Sequence, residues 1–259
     1  MRLNKFISHH TKYSRREADA LIKEGHVKIK GKTVTDLATK VGRGEKVYLK
    51  GKLIHPKTEF TVIVYHKQKG ELVTKKDDRG RTTIYDTLPG RYRHFIPIGR
   101  LDYASEGLIL LTDAPTVANV LMNAPLERVY YVKIRGEVSE AMIQAMKEGL
   151  FAEDATRGAH PKSEITSMEF APFLGFKIIK NAPTYSKLKV AISEGKNREL
   201  RRFFAYFDAE VADLKRVEFG GVSLGTLAPG KMRFLTRSEY HSLHTYLASV
   251  EKERRGTLQ

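Results

Sequence analysis

A chain of 259 residues with 41% apolar side chains can bury one or two packed cores, which excludes wholesale disorder. It carries 46 Lys and Arg against 30 Asp and Glu, a formal charge of +16, and it has no cysteine. Disulfides, thiolate metal sites and thiol catalysis are thereby excluded, no apolar run approaches the ~18 residues of a membrane span, and the basic excess points to a polyanion, RNA or DNA before a lipid surface.

Residues 1–60 hold 15 basic and 6 acidic side chains, more than half of the net charge in under a quarter of the chain. Leu3, Phe6 and Ile7 follow helical spacing. Ser14-Arg15-Arg16-Glu17 reads as a capping box opening a second helix. Ala18, Leu21 and Ile22 give that helix one apolar face, and Gly25 ends it. Arg15 and Arg16 fall in the first turn, where the helix dipole disfavours cations, so phosphate contact explains them better than helix stability does. Val27-Lys28-Ile29-Lys30 alternates, Gly31-Lys32 turns, and Lys46 to Leu49 forms another short strand. Lys5, Lys28, Lys30 and Lys32 extend the basic character of the unit. The Gly- and Pro-containing stretch 51–60 reads as a linker between a domain at 1–50 and one at 61–240.

Beyond the linker, strands are expected near 60–65, 107–112, 130–134, 187–192 and 216–219. Helices are expected near 116–122, 139–148 and 197–207, with Ser139 as an N-cap and Gly149 as a stop. The strands do not alternate strictly with single helices, so the reading is α+β with a mostly antiparallel, mixed sheet flanked by helices. Residues 241–259 read as a C-terminal helix and polar tail. The helix spans about 238–251 with Tyr240, Leu243, Leu247 and Val250 on one side, and the tail 252–259 is expected to fray.

Two segments carry chemistry. In Pro97-Ile98-Gly99-Arg100-Leu101-Asp102-Tyr103-Ala104-Ser105-Glu106-Gly107, a short loop bracketed by glycines feeds an apolar strand. Asp102 sits there among apolar neighbours, and a half-buried carboxylate needs a partner. Glu194-Gly195-Lys196-Asn197-Arg198-Glu199-Leu200-Arg201-Arg202-Phe203-Phe204 is a turn followed by a helix start with four cations in seven residues. Arg198, Arg201 and Arg202 have the spacing of one helix face, and Phe203, Phe204 and Phe207 mark the opposite face as buried. The three arginines are therefore expected to line a cleft.

On Arg2 to Phe6, Ser14 to Ala18 and Ile22 to Val27, residues 2–50 resemble the S4 RNA-binding domain. On the GRLD segment, EGKNRELRRFF and Leu214-Lys215-Arg216-Val217, residues 1–236 resemble pseudouridine synthases of the RsuA/RluB type. Gly70 to Thr74, Asp77 to Thr83 and Asp86 to Pro89 are most similar to the family's large-subunit rRNA branch, the RluB type. Two departures stand out: Lys67-Gln68-Lys69-Gly70 lacks the usual proline, and Ser105 stands where threonine is common.

The resemblance implies a flipped uridine detached from C1′ of its ribose, turned, and rejoined through C5, with no cofactor and no metal. It implies Asp102 as the catalytic carboxylate, as nucleophile or base, Arg201 as the partner keeping it ionised, and Tyr130 beside the base. Leu200 would wall the pocket, and Arg100, Arg198 and Arg202 would face RNA. The implied partner is ribosomal RNA, 23S or a large-subunit assembly intermediate, met by a cytoplasmic monomer. Two alternatives are a non-catalytic S4-type RNA-binding factor and a synthase acting on 16S rRNA.

Overall fold

A computed structural model describes residues 1–256 except 12, 43 and 56–58, with side chains as far as Glu253. The first unit consists of α1 (Leu3–His10), α2 (Arg15–Lys23), β1 (Val27–Ile29), β2 (Lys32–Val34), β3 (Val47–Leu49) and β4 (Lys52–Leu53). Its sheet has the order β2-β1-β3-β4. The capping box forms as its spacing requires: the Glu17 amide donates to Ser14 Oγ at 3.3 Å and the Ser14 amide to Glu17 at 2.7 Å. Leu3, Ile7, Ala18 and Ile22 then meet Val27 and Val47 in a small closed core. This unit runs past the boundary expected at residue 50. Lys52–Leu53 pairs with β3, and Ile54 is buried in the same core with its amide bonded to the Val47 carbonyl. Two-residue β4 has too little pattern to be read from sequence, and residues 56–58 of the expected linker lie outside those described.

The second unit opens with β5 (Val62–Lys67), α3 (Ile84–Thr87), β6 (Ile96–Ile98), β7 (Glu106–Thr112), α4 (Pro115–Met122), β8 (Arg128–Arg135) and α5 (Glu140–Glu148). It continues with β9 (Leu150–Ala152), β10 (Met168–Phe170), β11 (Gly175–Lys180), β12 (Tyr185–Ile192), α6 (Glu199–Tyr206) and β13 (Val211–Phe219). It ends with β14 (Val222–Ser223), β15 (Met232–Phe234) and α7 (Arg237–Gly256). The main sheet has the order β11-β12-β8-β13-β7-β5-β15, with β14 added on β13 and β6 on β7. Every ladder among the described residues is antiparallel except β7 with β13. The molecule is thus α+β with a mixed, mostly antiparallel sheet.

Strand β5, between β7 and β15, is buried along its whole length, so its apolar residues run without alternation. Val62 and Val64 pack with α4 and α7, while Ile63 and Tyr65 pack on the opposite face with Ile84 of α3. A third core joins β8, β12 and β13 to α5 and α6 through Val132, Leu188, Met146 and Phe203. The Ser139 cap and the Gly149 stop, at φ +86°, bound α5 as expected.

Helix α7 is not a separate appendage beginning at 241. It starts at Arg237, and Tyr240, Leu243, Tyr246 and Leu247 pack on the β5–β7 core. Its helical course continues through 252–256, where fraying was expected, and residues 257–259 lie outside those described. A capping box fixes its start, with the Thr236 amide donating to Glu239 at 2.7 Å and the Glu239 amide to Thr236 Oγ1 at 3.2 Å. Arg233 of β15 clamps the same carboxylate through two bonds of 2.7 and 2.8 Å. Burial works against the Glu239 charge, but the bonds from Arg233 and the Thr236 amide prevail and hold its carboxyl at about 2. The unfolded chain therefore binds more protons across the acid range, and the stabilisation, complete above the ordinary carboxyl value, is lost as pH falls through about 2. Glu239→Gln is expected to cost about 1.5–3 kcal/mol at neutral pH. Paired urea melts of wild type and variant at pH 7 and pH 3 check this, with the gap narrowing at the lower pH.

Candidate active site

The loop 99–105 arrives between β6 and β7, and two contacts from the end of β5 and the turn after it fix it. Buried Lys67 donates from Nζ to the Ser105 carbonyl at 2.7 Å and to the Gln68 carbonyl at 2.9 Å. The Gly70 amide donates to the Tyr103 carbonyl at 2.8 Å. Burial pushes the Lys67 amine down to about 8, against the attraction of Glu71, Asp102 and Glu106. Glu71 is itself buried and accepts from Tyr65, the Gln68 amide and Thr87. The missing proline in Lys67-Gln68-Lys69-Gly70 is accommodated by this network, and Gly70 still turns the chain at φ +81°.

Asp102 lies at the tip of the loop with its side chain about one third exposed. Arg198 Nη1 is 3.5 Å and Arg201 Nε 3.6 Å from Asp102 Oδ2. Both guanidiniums are held elsewhere. Arg201 donates to the Val211 carbonyl at 3.1 Å and to Ser105 Oγ at 3.1 Å, while Arg198 Nε donates to the Gly158 carbonyl at 2.6 Å. The carboxylate thus faces two guanidiniums without being consumed by short bonds, which leaves its oxygens available to a reacting group. The serine at 105 meets the requirement through its hydroxyl alone.

The expected common face of the three arginines does not form. Arg198 precedes α6 in a left-handed conformation, φ +52°, and only Arg201 and Arg202 are helical. Arg202 is fully enclosed, donating to the carbonyls of Asn197, Ala155 and Ile165 and to Ser163 Oγ. It ties the loop 155–165 to α6 and is not positioned to meet RNA, a correction of the role expected for it. Periodicity could not separate the two arginines, because both occupy the inner side of the helix.

A cavity of about 150 Å³ opens beside Asp102, a volume of the order that receives one six-membered ring. Tyr130 of β8 and Leu200 of α6, both buried, wall it with Ile98 and Leu214. Tyr131 points to solvent, as strand alternation demands. Arg128 and Arg216 also line the cavity, and sequence reading missed both. A charged residue at the buried positions of strands β8 and β13 was the available signal. A wider groove of about 770 Å³ shares Asp102, Arg100 and Arg198 with the cavity and continues past Tyr103, Lys76, Arg81 and Lys162. Arg100 is exposed on it.

In the first unit, Arg15 and Arg16 are exposed at the start of α2, as are Lys5, Lys28 and Lys32. Lys30 is exposed but paired with Glu45 at 2.8 Å. α1 approaches α4, where His9 Nε2 lies 3.5 Å from Thr116 Oγ1.

A carboxylate between two arginines, at the lip of a base-sized cavity and a basic groove, defines a site for chemistry on a nucleotide of a polyanion. The profile of the RNA pseudouridylate synthase family matches residues 61–206, and that of the S4 domain matches residues 1–47. An uncharacterized RNA pseudouridine synthase of Helicobacter pylori strain 26695 is 54% identical over 252 residues, 96% of each chain. The ribosomal large subunit pseudouridine synthase B of Bacillus subtilis is 34% identical over 244 residues, 93% of this chain and 95% of the other. A crystal structure of a pseudouridylate synthase superposes with a TM-score of 0.62 at 26% identity, covering 94% of this chain and 99% of that one. The protein belongs to the RNA pseudouridine synthases, in the S4-bearing RsuA/RluB-type branch. It is an isomerase.

Proposed function

We propose that the protein converts a uridine of 23S ribosomal RNA to pseudouridine with Asp102 as the catalytic carboxylate. The observation that carries the site assignment is the placement of Asp102, held by charge between Arg198 and Arg201 at the mouth of the cavity that Tyr130 lines. The uridine leaves its stack and enters this cavity, the N1–C1′ bond breaks, the base turns, and C5 bonds to C1′. The C5 proton then departs and N1 gains one, so the change is an isomerisation without net oxidation. Asp102 serves as nucleophile toward C1′ or as base toward a ribose proton, and either role uses its ionised form. Arg201 orients and neutralises it, Tyr130 stacks on the base and assists removal of the C5 proton, and Leu200 closes the wall.

The large-subunit assignment is supported by the 34% identity to the Bacillus subtilis large-subunit enzyme along nearly the whole chain. The exposed cations of the first unit dock the RNA, which the enzyme meets as a cytoplasmic monomer. Arg15→Ala with Arg16→Ala is expected to weaken binding uniformly across sequences and to reduce the slope of log affinity against log salt by about 2. Filter binding at a series of salt concentrations checks this. Pseudouridine mapping across both rRNAs, from cells with and without the gene, tests the main reading. Loss of one large-subunit site is expected, and loss of a 16S site would move the substrate to the small subunit.

A further inference from the structure

Arg128 and Arg216 are both buried at the cavity, and neither forms an ion pair among the described residues. Register fixes where they point. Tyr130 pairs with Arg216 across β8 and β13, so both side chains leave the same face of the sheet, and Arg128, two residues before Tyr130, shares that face. Three hydrogen bonds hold the two guanidiniums. Arg128 Nη1 donates to the Leu126 and Ser193 carbonyls at 2.8 and 2.7 Å, and Arg216 Nε donates to the Leu108 carbonyl at 2.8 Å. Arg216 Nη2 is different: it is shielded from solvent and has no hydrogen-bond partner, although the side chain is 97% buried.

A buried charged donor without an acceptor is costly, and one at the wall of a cavity calls for an acceptor from what enters that cavity. The cavity decides which part of a flipped nucleotide that is. The phosphate and ribose stay with the strand in the groove, while the base enters deepest, past Asp102 and Tyr130. The base edge of uracil offers two carbonyl oxygens around N3–H. Cytosine replaces one of them with an amino group, which would set N–H against N–H.

We propose that Arg216 Nη2 donates to a carbonyl oxygen of the flipped uracil, making Arg216 a base-binding residue of the pocket that discriminates against cytosine where that oxygen is O4. This rests on the reading of the Asp102 cavity as the uridine site. Arg128 backs it by placing a second positive charge at the same wall, which leaves the neighbouring guanidinium seeking an acceptor rather than another donor.

The test uses the full-length enzyme and substrate RNAs carrying uridine, 2-thiouridine or 4-thiouridine at the modified position, since sulfur is the weaker acceptor. One of the two thio substitutions is expected to slow single-turnover isomerisation by wild type roughly tenfold, the loss of one charge-assisted bond. The same substitution should have no further effect on Arg216→Met. Equal slowing of wild type and variant, or no slowing of wild type by either substrate, overturns the proposal. Wild-type enzyme labelled with ¹⁵N-arginine supplies a readout that needs no folded variant. A protected guanidinium resonance should appear with uridine RNA and be absent with the sensitive thio RNA, and its appearance with neither also overturns the proposal. Asp102→Asn on the same RNAs separates the two readings: retained turnover there removes the site assignment, whereas abolished turnover with unselective thio effects removes only the role of Arg216.

Discussion

Asp102→Asn is expected to abolish isomerisation, lowering single-turnover rates by roughly 10³-fold or more, while RNA affinity stays nearly intact. The amide has the same shape, so the loop keeps its anchors: the Ser105 amide on the Asp102 carbonyl, Lys67 on Ser105, and Gly70 on Tyr103. None of these uses the Asp102 side chain. What disappears is the carboxylate between Arg198 and Arg201, and with it the nucleophile or base that the proposed reaction uses. On the proposed reading RNA binding rests on other groups, among them Arg100, which lines the groove, and the exposed cations of the first unit. Tritium release from 5-³H-uridine RNA, set beside filter binding of the same RNA, measures both quantities. A variant that loses affinity and turnover in equal proportion would assign Asp102 to the architecture of the loop.

Gly107→Ala has the second large effect, and it acts through the backbone. Gly107 has φ +112°, a region that side chains with a Cβ rarely enter. A methyl group there would sit 2.1 Å from the Arg216 carbonyl oxygen and 2.7 Å from its amide nitrogen. Neither neighbour is a flexible chain end, so β7 and β13 must separate. Strain and overpacking together cost about 3 kcal/mol or more, roughly 6–12 °C in Tm. The folded fraction also loses activity, because the displaced strand carries the loop of Asp102 away from Arg201. Gly175→Ala is the matched control, since a methyl group there meets nothing within 4 Å. Calorimetry of the two variants, with activity normalised to folded protein, reads both effects.

What the chain disclosed in advance follows from how local each signal is. The capping box at Ser14 and Glu17 and the Ser139–Gly149 bracket are complete within a few residues, and they form where expected. The strands expected near 107–112 and 130–134 carry strong apolar patterns and are found at Glu106–Thr112 and Arg128–Arg135. Short elements such as β4, β6 and β15 were not legible, because two or three residues make no period. In the site, Asp102, Tyr130, Leu200 and Arg201 lie together where the resemblance placed them. That Arg198 joins Arg201 at Asp102 while Arg202 turns inward depends on a left-handed residue before α6, which helical spacing does not encode. Arg128, Arg216 and Lys67 were given no role in the site, because a cation in an apolar strand resembles a strand end until its neighbours are known.

The parallel contact of β7 with β13 joins Lys215 to Glu106 and Arg216 to Gly107, and the bonds from Arg201 to Ser105 and from Arg216 to Leu108 span 96 and 108 residues. Closing loops of that length comes late in folding, since their entropy is lost before the contacts repay it. The loop of Asp102 is synthesised early, but its arginine partners and the wall bearing Arg216 follow about a hundred residues later. A nascent chain halted before β13 therefore holds the GRLD sequence without a pocket, and competence appears abruptly when the last strands dock.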